Sequence, residues 1–178
     1  VEITTIETII RAERTEDREA ITDVNTQAFG RKAEAELVER IRQSIGFFPE
    51  LSLVAERAGR IVGHALFSGV AVQKETGRLD VLALGPIAVV PDVQRQGIGG
   101  RLIRAGLEIG AQAGFPAVVL IGHPTYYPRF GFTPAGRHGL KLTFEVPDDV
   151  FMAIPLRPAG LDELAGGTVI YPEAFRIG

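Results

Sequence analysis

The stretch from Leu82 to Ile103 constrains the fold of this chain more than any other, because its periodicity changes from strand to turn to helix within a few residues. Leu82, Leu84, Ile87, Val89 and Val90 form a short apolar run bounded by Pro91, rich in β-branched residues and too short for a bilayer, as a core strand requires. Gln94, Gly97 and Gly99 follow at the spacing Gln-x-x-Gly-x-Gly, and Ile98, Leu102, Ile103 and Leu107 then recur at helical spacing. A glycine-rich turn feeding a helix presents backbone N–H groups at the positive end of the helix dipole, which makes an anion site suited to phosphate. Two familiar phosphate motifs are disfavoured. A dinucleotide turn needs a third glycine where this chain has Leu102, and a P-loop needs Gly-Lys-Ser/Thr, which is absent.

Composition narrows the class further. A chain of 178 residues with 46% hydrophobic and 23% charged residues is long enough for one well-buried domain and short for two, so residues 1–178 read as a single domain. A net charge of −3 argues against a nucleic-acid partner, which would call for a basic face. The absence of cysteine excludes disulfides and thiolate sites, and a cytoplasmic location is the simplest expectation. Residues 1–5 lack a basic start and an apolar signal core, and no apolar run approaches membrane length, so no membrane partner is expected. His64, His123 and His138 are scattered, so no metal site is expected.

Around the central stretch, residues 7–11 read as a first strand. Thr15 looks like a helix cap with Glu16 and Asp17 in the first turn, and Ile21, Val24 and Phe29 share a face up to Gly30. A second helix is expected over 32–45, with Leu37, Val38, Ile41 and Ile45 on its buried face and Gly46 closing it. Strands at 51–56 and 60–67 flank a hairpin turn, alternation resumes at 70–73, and His64 sits mid-strand, where packing is the plainer role. Gly85 and Pro86 interrupt the central strand, and proline in a sheet belongs at an edge or a bulge. A helix over 98–113, a strand over 117–121, strands at 140–146 and 150–155 and a last strand within 166–171 complete the reading. The central strand, the helix after it and the strand at 117–121 form a right-handed crossover with parallel strands.

Gln94 to Gly99, after the apolar residues Ile87 and Val89, resembles the pyrophosphate loop of the GCN5-related N-acetyltransferases (GNAT), Gln/Arg-x-x-Gly-x-Gly/Ala. Tyr127, Gly131 and Phe132 match the family's Tyr-x-x-x-Gly-Phe segment, and the wider phrases 84–89 and 124–132 are similar to a bacterial subgroup, the YhbS-type proteins. The resemblance is weakest over 133–178. It implies an α/β fold, α+β in some schemes: a mixed, mostly antiparallel sheet, helices on both faces, and a parallel but splayed pair formed by the fourth and fifth strands.

The resemblance also implies acetyl transfer from acetyl-coenzyme A (acetyl-CoA) to a primary amine of a small molecule or peptide, directly in a ternary complex. Gln94, Arg95, Gln96, Gly97, Ile98, Gly99 and Gly100 would hold the pyrophosphate, and Ile87, Ala88 and Val89 the pantetheine arm and thioester. Arg95 and Arg101 would add charge, or simply face solvent. Tyr127 stands where the family has its catalytic proton donor, and a phenol of pKa ~10 stays protonated at neutral pH; its neighbour Tyr126 reads as packing. Phe29, Arg31 and Glu34, at the join of the first two helices, are candidates for acceptor contact, with core or solvated surface as the plainer reading.

Two departures from the family stand out. Residues 82–90 carry no carboxylate to act as a base, and Asp80, Glu34 and Glu36 match no catalytic position. His123 stands where many relatives have asparagine, and a binding role and solvent exposure are equally open. The missing carboxylate keeps an alternative alive: an acyl-CoA-binding regulator with little or no turnover. A homodimer is also open.

Overall fold

The computed structural model describes residues 6–176; residues 1–5, on which the reading of the N-terminus rested, and 177–178 lie outside the described residues. Nine strands, β1 (Thr8–Ala12), β2 (Ser52–Arg57), β3 (Arg60–Lys74), β4 (Gly77–Val89), β5 (Ala117–Ile121), β6 (Thr133–Pro134), β7 (Lys141–Leu142), β8 (Phe151–Pro155) and β9 (Thr168–Ile170), form one mixed sheet. Its main order is β1-β2-β3-β4-β5-β8-β6, with β9 paired to β3 and β7. Along that order only β4 and β5 run parallel. The helices are α1 (Arg18–Phe29), α2 (Ala33–Arg42) and α3 (Ile98–Gln112).

The helices take opposite faces, and glycines show how closely. A Cβ on Gly106 would lie 2.0 Å from the Phe67 ring, and one on Gly63 would lie 3.1 Å from Leu102, so these β3 residues point at α3. Leu66, between them, packs with Ile21, Leu37, Val38 and Ile41 of α1 and α2. Beside these helices, on the same face, the C-terminal segment lays Leu161, Leu164 and Val169 against Val81 and Ala83 of β4. Each buried aliphatic side chain of this kind contributes about 1.5–3 kcal/mol against exposure.

Several boundaries differ from the sequence reading for identifiable reasons. Thr15 makes no side-chain cap; Arg14 takes that position, and its N–H donates to the Asp17 carboxylate at 2.7 Å while Arg11 clamps the same carboxylate at 2.6 and 3.0 Å. The second helix stops at Arg42 rather than at residue 45. Gly46 is needed for close approach instead: its carbonyl accepts the Gly69 N–H at 2.8 Å, and a Cβ on it would lie 2.7 Å from the Gly69 oxygen. Ile45 is consequently 99% exposed instead of lining a buried helix face. The segments 60–67 and 70–73 are one continuous strand, joined to β2 through Ala58 and Gly59, whose φ values of 51° and 76° suit a tight hairpin. The expected strand at 140–146 shrinks to Lys141–Leu142, because its partner β9 offers three residues; beyond it the chain bends away and Thr143 and Phe144 line a cleft.

Candidate active site

The site begins with a count of residues. In the β3–β4 ladder Ala65 faces Ile87 and Phe67 faces Leu84, so one residue on β3 opposes two on β4. That extra residue is a bulge at Gly85–Pro86, as the proline predicts. The ladder between β4 and β5 covers only Leu82 with Val118 and Ala83 with Val119. From Leu84 onward, the edge of β4 that faces β5 therefore has no strand partner. A cleft of about 1650 Å³ occupies this opening and joins the α3 face to the face of α1 and α2.

At the α3 end lies the glycine turn. Gly97 caps the helix with φ 81°, and the first intrahelical bond is Arg101 N–H to Gly97 O at 3.1 Å, which leaves the N–H groups of Ile98, Gly99 and Gly100 without acceptors inside the helix. Gly99 is also a close approach, since a Cβ there would lie 3.1 Å from the Tyr126 hydroxyl and 3.9 Å from Ile87 and Val89. Gln94, though exposed, braces the turn: its amide donates to Val89 O at 2.9 Å. Gln96 turns away, accepting from Arg57 at 2.6 Å, and does not line the cleft. Gln94, Arg95, Gly97, Ile98, Gly99 and Gly100 do line it, as do Ile87, Ala88 and Val89.

Arg101 is exposed, and two other arginines occupy the wall. Arg104 lies 5.0 Å from the Phe130 ring centre and Arg129 lies 4.6 Å from that of Tyr126. Both cations are held by aromatic faces beside the turn, where an anion gains from them. Sequence reasoning missed this pair. Arg104 stands one helical turn beyond Gly100, and that spacing was the available signal.

Tyr127 lines the middle of the cleft, on a short 3-10 turn (Tyr127–Phe130) closed by Gly131 at φ 102°. Its ring stands edge-on to Tyr126 at 5.1 Å and Phe132 at 5.9 Å. Gly122 makes room for it: a Cβ there would lie 2.6 Å from Tyr127 Cε2. Burial, with Tyr126 alongside, pushes the Tyr127 phenol up to about 12, so it is a hydrogen-bond donor at neutral pH. His123 is exposed and lines the cleft as well.

On the far face the wall is made by Phe29, Glu34 and Leu37 from the first two helices and by Phe144, Tyr171 and Phe175 from the C-terminal segment. Glu34 is 7% exposed and receives the Arg31 Nε at 3.0 and 3.1 Å; that hydrogen bonding holds its carboxyl below the usual range. Arg31 stays outside the lining. His64 is fully buried behind this wall, next to Ala88 across the ladder. Asn25 Nδ2 donates to Ile21 O at 3.0 Å and to His64 Nδ1 at 3.2 Å, and His64 Nε2 lies 2.9 Å from Ser52 Oγ. The amide orientation makes Nδ1 the acceptor and Nε2 the donor. Burial, with Arg42 nearby, pushes this imidazole down to about 3, so His64 is a neutral packing residue. Among the described residues no group of three His, Asp or Glu side chains is placed to hold a metal, and no helix is long and apolar enough to cross a membrane.

A mixed sheet that opens between a parallel fourth and fifth strand, with an anion-binding turn at the end of the fourth, is the architecture of an N-acetyltransferase of the GNAT class. The family model for the acetyltransferase (GNAT) domain matches residues 9–135, and the chain belongs to this family. It is 40% identical over 134 residues to the uncharacterized N-acetyltransferase YjhQ of Escherichia coli K12, covering 75% of this chain and 74% of YjhQ. With E. coli YhbS it shares 34% identity over 168 residues, 94% of this chain and 98% of YhbS. The crystal structure of E. coli YhbS in complex with CoA superposes with a TM-score of 0.91 at 31% identity, over 100% of this chain and 97% of that one. A GNAT acetyltransferase from Brucella melitensis in complex with acetyl-CoA gives 0.78 at 33% identity, over 97% and 100% of the two chains.

Proposed function

We propose that this protein moves the acetyl group of acetyl-CoA directly to a primary amine of a small molecule or peptide while both are bound. The observation that carries this reading is the opening between β4 and β5, which connects the phosphate-suited turn on one face of the sheet to an apolar chamber with one carboxylate on the other. The N–H groups of Ile98, Gly99 and Gly100 bind the pyrophosphate, with Arg95, Arg104 and Arg129 adding charge. The pantetheine arm runs along the unpaired edge of β4, where the backbone groups of Ile87 and Val89 pair with its amides and donate to the thioester oxygen as that oxygen gains charge, while those of Ala88 pair with His64 across the ladder. Holding donor and amine together turns a two-body encounter into a local one.

The amine nitrogen attacks the carbonyl carbon, the C–N bond forms, the C–S bond breaks, and the amine gives up a proton. Tyr127 donates a hydrogen bond to the departing thiolate. The cleft-facing part of β4 carries no carboxylate, so the amine's proton leaves through water or His123. That same lack supports a second reading, a coenzyme-binding regulator with little turnover. The test follows release of free CoA from acetyl-CoA across a panel of amines, with calorimetry of acetyl-CoA binding on the same sample. Amine-dependent release is expected; binding without release from any amine would favour the regulator, and failure to bind would overturn the reading of the turn.

A further inference from the structure

The chamber on the α1–α2 face has a composition that selects its occupant. Tyr171 is its hub, with its ring 5.0 Å from Phe175 and 6.3 Å from Phe144. Phe29 and Phe144 leave 41% and 46% of their surface exposed, although both line the cleft. Aromatic surface left open inside a concave wall is surface a ligand covers. Glu34 is the one carboxylate among the described residues lining the cleft, and the other formally charged residues of that lining are arginines. Of these, Arg95, Arg104 and Arg129 belong to the turn and its flank, which leaves Arg176 at the chamber end. Arg31, outside the lining, pairs with Glu34, so the lining of the chamber end holds one cation, Arg176, and one carboxylate that is already paired.

We propose that the acceptor is a primary amine on an aromatic body with no second positive charge, seated against Phe29, Phe144, Tyr171 and Phe175. This deepens the acetyl-transfer reading and rests on it. Edge-on and offset ring contacts favour an aromatic body over an aliphatic one. An N–H of the ligand shares Glu34, whose buried carboxylate keeps lone-pair capacity beyond the bonds from Arg31. A polyamine loses on both counts: its chain makes no ring contact, and its further charges meet Arg176, and Arg31 beside Glu34, with no second carboxylate among the described lining residues to offset them.

Two measurements on the full chain test this and separate it from the transfer reading. In the first, the protein saturated with CoA is titrated calorimetrically with phenylalaninamide, phenethylamine and spermidine. Both aromatic amines are expected to bind at least tenfold more tightly than spermidine. Phe144→Ala, at a half-exposed position, is expected to weaken the aromatic amines about tenfold and to leave CoA affinity unchanged. Spermidine binding as tightly as the aromatic amines, or Phe144→Ala without effect on them, overturns the proposal. In the second, the same amines are compared for CoA release from acetyl-CoA. Release that is fastest with spermidine overturns the acceptor assignment while leaving acetyl transfer intact. Aromatic amines that bind but drive no release leave the chamber's preference for them intact and overturn both the transfer reading and the acceptor role that rests on it.

Discussion

Lowering the pH from 6.5 to 5.0 should destabilise this fold through His64, before the carboxylates begin to protonate. In the native state the imidazole is sealed between Asn25 and Ser52, and burial holds its pKa down to about 3. In the unfolded chain it titrates near 6.5. Between those values the unfolded state binds a proton that the folded state refuses, so stability is complete above about pH 6.5 and falls with pH at ~1.4 kcal/mol per unit. Over the interval to pH 5.0 the loss is about 2 kcal/mol, equivalent to about 4–8 °C in Tm for a chain of this size. Asp17 and Glu34, both held low by arginines, act in the same direction only at lower pH. Urea unfolding at pH 6.5 and 5.0 measures the slope, and His64→Gln, which keeps hydrogen-bonding groups but cannot titrate, should flatten it whatever it does to absolute stability. An unchanged slope in His64→Gln, or the His64 imidazole seen by NMR to protonate in the folded protein above pH 5, would refute the reasoning.

Three further expectations concern the chemistry. Tyr127→Phe keeps the ring contacts with Tyr126 and Phe132 and removes the donor, so single-turnover transfer should slow on the order of a hundredfold with acetyl-CoA affinity unchanged; transfer at the wild-type rate would remove Tyr127 from the chemistry. Gly122→Ala would place a methyl 2.6 Å from Tyr127 Cε2 and displace that ring, so it should slow transfer by itself and add little to Tyr127→Phe in the double variant; fully additive losses would mean that Gly122 acts elsewhere. Without a strand carboxylate, reactivity at pH 7 should follow the amine's own pKa: phenylalaninamide, with an α-amine near 7.7–8.0, should exceed phenethylamine, with a lysine-like value near 10.4, by on the order of a few hundredfold in kcat/KM. Near-equal values would reveal an effective proton acceptor in the cleft.

The parts of this structure that were legible in the sequence are those fixed by local rules. The run Leu82–Val90, the glycines at 97 and 99 and the periodicity from Ile98 specify a strand, an anion turn and a helix almost without tertiary help, and β4, the turn and α3 lie where they should. Pro86 in an apolar strand pointed to the bulge. What stayed hidden depended on partners distant in sequence. Residues 140–146 alternate like a strand, yet strand pairing needs a neighbour, and β9 supplies three residues. Ile45 fits a helical stripe, but the backbone contact of Gly46 with Gly69 ends α2 first. The aromatic chamber joins Phe29 to Phe144, Tyr171 and Phe175, a grouping across more than a hundred residues that no periodicity encodes.

The bulge links these levels, because the side-chain period of a strand is two and one inserted residue reverses every face after it. Leu84 opposes Phe67, and Phe67 faces α3. In a regular strand Ile87 and Val89 would then face α1 and α2, and Ala88 would face α3. With the extra residue at Gly85–Pro86, Ile87 and Val89 instead approach Gly99 beside the phosphate turn, while Ala88, opposite His64, meets the acceptor face. Two bulky β-branched side chains are thereby kept out of the chamber, and on the proposed acetyl-transfer reading a single methyl stands where donor and acceptor meet. The β4–β5 ladder ends at Ala83, just before the same bulge. One inserted residue thus accompanies the opening of the sheet and sorts large from small side chains about it.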